Sequence, residues 1–153
     1  MNALGPWTNE DYEALSWHDV HVYGFRLDSF DERNGTADLI LDIDYILRWE
    51  LKGEKYLFTV CQATLCFHQI FNLKFSLDYM TPTAGLCPFS LAGIEREGLE
   101  FPNGYKNYQW HLPFNWPEGT IEFEALEFTQ ALIGTPQVQD TQNLLPQKRL
   151  NST

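Results

Sequence analysis

Between residues 38 and 50 the chain alternates with period two, and this stretch limits the fold more than any other. Odd positions read Leu39, Leu41, Ile43, Tyr45, Leu47 and Trp49; even positions read Asp38, Ile40, Asp42, Asp44, Ile46, Arg48 and Glu50. Successive side chains of a strand point to opposite faces, whereas a helix would scatter these residues round its axis. The stretch therefore predicts a long strand with one apolar face and one mixed polar face. "NLKFSLDY" (72 to 79) alternates as cleanly, and "KYLFTVCQATLCF" (55 to 67) is apolar on both faces for much of its length, as a central strand is. Further strands are predicted over 17 to 30, 107 to 114 and 119 to 132. In the last of these Ile121, Phe123 and Ala125 are in phase, but Leu126 and Phe128 have slipped by one. A β-bulge near residues 125 to 127 accounts for the slip.

The connectors agree with this pattern. Asn34-Gly35 is a strong hairpin signal because both residues tolerate positive φ, and "LKGEK" (51 to 55) is a second turn. "TPTAGLCPFSLAG" (81 to 93) reads as a longer loop, and a short helix is predicted at 9 to 15 behind a Thr8/Asp11 capping box. From residue 135 the chain is rich in Gln, Asn and Thr and reads as an irregular polar tail. The expectation is one all-β domain over residues 1 to 153. It is an antiparallel sandwich or partly open barrel of seven or eight strands, with a short N-terminal helix.

Composition narrows the class. With 44% hydrophobic residues over 153 positions the chain has material for one core. No run approaches the roughly 18 consecutive apolar residues of a membrane span, and "MNALGPWTNEDYE" lacks the basic and apolar regions of a secretory signal. The cysteines, Cys61, Cys66 and Cys87, are odd in number, and the first two have opposite strand parity. That argues against a disulfide framework and for a reducing, cytoplasmic location.

The net charge is −11, and residues 1 to 147 carry 8 basic against 21 acidic groups, a net −13. From Asn107 to Gln147 there is no Lys or Arg, while Glu118, Glu122, Glu124, Glu127 and Asp140 are all acidic. Such a surface repels a phosphate backbone and an anionic membrane, so neither nucleic acid nor membrane is an expected partner. It attracts a basic protein. The plainer reading is that acidity keeps the chain soluble.

Two stretches look chemical. "SWHDVHVYGF" (16 to 25) crowds Trp17, His18, Asp19 and His21 together. On a regular strand, however, Asp19 and His21 share one face and His18 the other, so the two imidazoles cannot hold one metal unless the strand only starts at His21 or a bulge near Gly24 resets the phase. Asp42 and Asp44 do share a face. Paired carboxylates serve glycoside hydrolysis or bind hard cations, but no further ligand is legible, and a solvated sheet face is the alternative. A hairpin centred on Asn34-Gly35 sets residue 42 opposite 27 and residue 48 opposite 21, which keeps the histidines away from Asp42. Cys61 and Cys66 read as inert core thiols, and no nucleophile, phosphate-loop or dinucleotide motif occurs. No metal or cofactor is assigned. Aromatics cluster in "FPNGYKNYQWHLPFNWPEG" (101 to 119), including Trp110 and Trp116. With Trp17 and Trp49 they fill a core or form a stacking platform.

"WHD" at 17 to 19 followed by "LDIDYILRW" at 41 to 49 resembles a pattern in a family of small bacterial all-β proteins without assigned activity. Acidic, compact β domains of this size are also similar to immunity proteins of toxin systems. The resemblance implies a bacterial, partner-binding protein and carries no catalytic residue with it.

The expected function is therefore a non-enzymatic acidic protein that binds a basic protein partner, or a second copy of itself through an open sheet edge. Its binding residues are drawn from Trp17, His18, Asp19, His21, Asp42, Asp44, Trp49, Trp110 and Trp116. The alternatives are a hydrolase built on Asp42, Asp44 and a histidine, with or without a metal, and sugar or small-ligand binding by the 101 to 119 aromatics.

Overall fold

The alternation of residues 38 to 50 is realised as the strand Thr36–Lys52 in the computed structural model, which describes residues 4 to 80 and 85 to 150. Among the described residues nine strands form: β1 Trp7–Thr8, β2 His21–Asp31, β3 Thr36–Lys52, β4 Lys55–Asp78, β5 Phe89–Leu91, β6 Glu95–Glu100, β7 Lys106–Trp116, β8 Glu118–Ala125 and β9 Glu127–Gln139. All pairings are antiparallel. Strands take 66% of the described residues and helical turns 6%, so the class is all-β.

The strands make one nine-stranded sheet of order β1-β9-β4-β3-β2-β5-β7-β6, with β8 joining β4 to β7. It is not a clean barrel: the steps from β2 to β5 and from β5 to β7 rest on two residue pairs each. The count differs from seven or eight because β1 and β5 are too short to leave a periodic trace, while the stretches at 55 to 67 and 72 to 79 are one strand. Gln69 and Asn72 adopt φ of 52° and 53°, and there β4 changes partner: up to His68 it pairs β9, and from Phe71 it pairs β8. The phase slip read near residues 125 to 127 is the matching break on the other side, where Leu126 turns out to solvent between β8 and β9.

Four expectations change. The helix read at 9 to 15 is a 3₁₀ turn over Asn9–Ala14. Asp11 accepts from the Thr8 backbone N–H at 2.9 Å as the capping pattern implied, but the chain leaves the turn extended at Leu15, too soon for α-helical propagation. Residues 135 to 139, read as polar tail, continue β9 against β4. Of the loop read over 81 to 93, residues 81 to 84 lie outside the described residues and 89 to 91 form β5. The β2–β3 register also moves. Asp31 closes the turn by accepting the Arg33 and Asn34 N–H groups, Gly35 takes φ +71°, and pairing starts at Asp31↔Thr36. Irregularities at 28 to 31 and 22 to 24, the first containing Ser29 at φ 51°, then shift the ladder again. His21 ends opposite Asp44, and Gly24 opposite Asp42.

The core lies on the odd face of β3, with Leu39, Leu41 and Ile43 at 1% exposure or less. They join Leu65, Phe67, Leu112, Ile121, Phe123 and Phe128. Each such side chain contributes about 1.5–3 kcal/mol by leaving water. Trp17 and Trp110 belong here. The Trp17 indole N–H donates to Gln130 Oε1 at 2.7 Å and that of Trp110 to the Ala125 carbonyl at 2.9 Å, so neither buries an unmet donor. No helix among the described residues is long and apolar enough to cross a membrane.

Candidate functional site

The polar face of β3 is not an open sheet surface. Residues 140 to 150 fold back across it as a strap. Leu144 packs with Ile46, Phe58 and Val60, and its N–H donates to Asp44 Oδ2 at 2.8 Å. The Arg149 guanidinium ion-pairs with both Asp42 and Asp44 and lies over the Tyr23 ring at 3.9 Å. The Gln62 side chain accepts from the Leu150 N–H and donates to the Leu150 carbonyl, each at 2.8 Å, and donates to Asp42 at 3.2 Å. Tyr23 Oη donates to the Leu144 carbonyl at 2.7 Å.

This arrangement gathers several of the residues singled out by sequence, although the hairpin register had kept them apart. His21 and Gln62 flank Asp44 on the neighbouring strands. Burial lowers the His21 pKa, with the backbone and charge of Asp19 opposing, so the imidazole is neutral near pH 7. Asp19, at φ +63°, accepts from Asn115 and from Gln142 of the strap. That positive φ ends the extended run before β2 starts at His21, which is why the strand parity assumed over 17 to 27 does not hold. His18 is exposed, lies 3.5 Å from Asp19 and stacks on Trp49 with ring centroids 6.3 Å apart. Asp42 and Asp44 thus hold a cation that the chain itself supplies, and Asp44 has no exposure at all. Trp116 stands apart, 42% exposed and edge-on to Tyr79. Trp110 is wholly buried, so the 101 to 119 aromatics divide between core and surface.

Two further groupings escaped the sequence. On the outer face of β6, β7 and β8, Glu95, His111 and Glu122 sit in one row and Glu97, Gln109 and Glu124 in the next. His111 lies 3.2 Å from Glu95 and 3.8 Å from Glu122. Lys74 is opposite Glu122. The cation of β6, Arg96, turns inward onto Tyr12 and Tyr108, 4.0 and 4.4 Å from the ring centres, and adds no positive charge to that face.

On the outer face of β3, β4 and β9, Asp38, Cys66 and His68 converge within 4.8 Å. Cys66-x-His68 meets the same-face spacing that His18 and His21 fail, and was the available sequence signal. Asp38 arrives from the neighbouring strand. Burial, then the Asp38 carboxylate, pushes the Cys66 thiol up to about 11, so it is no free thiolate nucleophile at neutral pH. No known family model matches the chain, nor does any curated protein.

Proposed function

We propose that the protein is a non-enzymatic, immunity-like binding protein whose acidic face receives a basic protein partner in the cytoplasm. The observation that carries this reading is the outer face of β6, β7 and β8, where exposed Glu95 and Glu97 and half-buried Glu122 face out with one lysine, Lys74, beside them, while Glu124 is buried and accepts from the Asn72 side chain. Among the described residues β6 pairs with β7 alone, so this face also runs to a sheet edge. Carboxylates concentrated at an edge steer a cationic partner during encounter and reject acidic ones. The paired-aspartate hydrolase lacks comparable support, since Arg149 takes up both carboxylates.

The test is affinity capture from the source cell with the wild-type chain and with a Glu95→Lys, Glu97→Lys, Glu122→Lys variant in parallel. The reading expects a strongly basic protein on the first and none on the second. Equal recovery on both would remove the acidic face from the account.

A further inference from the structure

The geometry points to a divalent-metal site of the zinc class, with Asp38, Cys66 and His68 as protein ligands and a fourth position open to solvent. Cys66 and His68 are i and i+2 on β4 and so project from the same face. Asp38 sits on β3 where the ladder steps from Ala37↔Ile70 to Leu39↔Phe67, and this irregularity sets its carboxylate beside His68. Cys66 Sγ lies 3.6 Å from His68 Nδ1, and that nitrogen lies 3.7 Å from Asp38 Oδ2. A tetrahedral zinc with ordinary bond lengths has a sulfur–nitrogen edge of about 3.6 Å and a nitrogen–oxygen edge of about 3.4 Å. These two edges match such an ion, and all three ligand atoms lie within 4.8 Å of one another.

The supporting contacts are those of a ligand set. His68 Nε2 is 2.9 Å from Thr129 Oγ1, so an Nε2–H donating to that hydroxyl leaves the Nδ1 lone pair aimed at Cys66 and Asp38. Asp38 Oδ1 accepts from the Gln69 N–H at 2.9 Å, which leaves Oδ2 for the ion. Beside the trio a cavity of about 470 Å³ is lined by Ser29, Asp31, Glu127 and Thr129 among others, with room for water or a small ligand at the fourth position. One sulfur, one imidazole nitrogen and one carboxylate suit zinc, whereas calcium and magnesium call for six or more oxygens. On binding, the Cys66 thiol gives its proton to solvent and its sulfur lone pair to the metal. No redox partner is required.

The experiment is a Co²⁺ titration of the full chain after dialysis against a chelator, followed by Zn²⁺ displacement. The expected result is one equivalent of Co²⁺ with a thiolate-to-metal charge-transfer band and the strong visible bands of a tetrahedral centre, all lost on adding Zn²⁺. Cys66→Ser should abolish the charge-transfer band, and His68→Ala or Asp38→Ala should weaken binding at least about tenfold. Thr129→Val keeps every ligand and tests the orientation of His68, with an expected loss of about 10–100-fold. Cys61→Ser and Cys87→Ser should change neither spectrum nor stoichiometry. Circular dichroism establishes that each variant is folded. A folded wild-type chain without the charge-transfer band overturns the assignment, as does a band that survives Cys66→Ser.

Discussion

The guanidinium of Arg149 is paired with the carboxylate of Asp44, which has no solvent exposure. Residues near the end of the chain thereby hold the centre of the third strand. The pair is supported from several sides: Asp42 shares the cation, Tyr23 lies under it, and the Leu144 N–H holds the other Asp44 oxygen. Removing one partner of a buried ion pair leaves the other charge buried and unmet.

Arg149→Met should therefore destabilise the fold by about 3–5 kcal/mol, read as a fall in the urea midpoint. Adding Asp44→Asn to Arg149→Met should restore part of that loss, because the uncompensated charge goes with it. A double variant as unstable as the sum of the two single ones would show that the pair is not coupled.

His21 sets a pH dependence. Its folded pKa lies below the ordinary 6.5 because of burial, so the unfolded chain takes up the proton first as pH falls. Stability should accordingly drop on acidification from about pH 6.5 toward the folded value, and rise in the reverse direction. Urea melts across that window should be flatter for His21→Asn than for wild type. Parallel curves would place the titration elsewhere.

The thiols should separate kinetically. Cys87 is exposed, whereas burial raises both Cys61 and Cys66. With a pKa of about 11, only about a thousandth of Cys66 is thiolate at pH 8. Ellman's reagent should titrate one fast thiol per folded chain, lost in Cys87→Ser, and reach the other two slowly or on unfolding. Two fast thiols in wild type would contradict the packing round β4.

The alternation at 38 to 50 and the doubly apolar run at 55 to 67 were legible because period two and burial on both faces are local signals. So was the phase slip near residue 126, although its cause, the change of partner along β4, was not. Register escaped because irregularities at 28 to 31 and 22 to 24 each move the ladder, and positive φ at Ser29 and Asp19 has no reliable trace in sequence. The strap escaped for a different reason. Gln142, Leu144 and Arg149 have no periodicity, since their partners Asp19, Asp44 and Asp42 lie far away in the chain. The glutamate rows and the Asp38, Cys66, His68 trio likewise depend on which strands become neighbours. Side-chain parity alone does not say which.

Central to the account is the acidic face of β6, β7 and β8. The most direct test is the association rate of the captured basic protein as a function of ionic strength, for wild type and for the Glu95→Lys, Glu97→Lys, Glu122→Lys variant. Electrostatic steering predicts a wild-type rate that falls by about tenfold or more from low to high salt, and a variant slower at low salt by a similar factor. Rates that are equal for the two chains and indifferent to salt would contradict it.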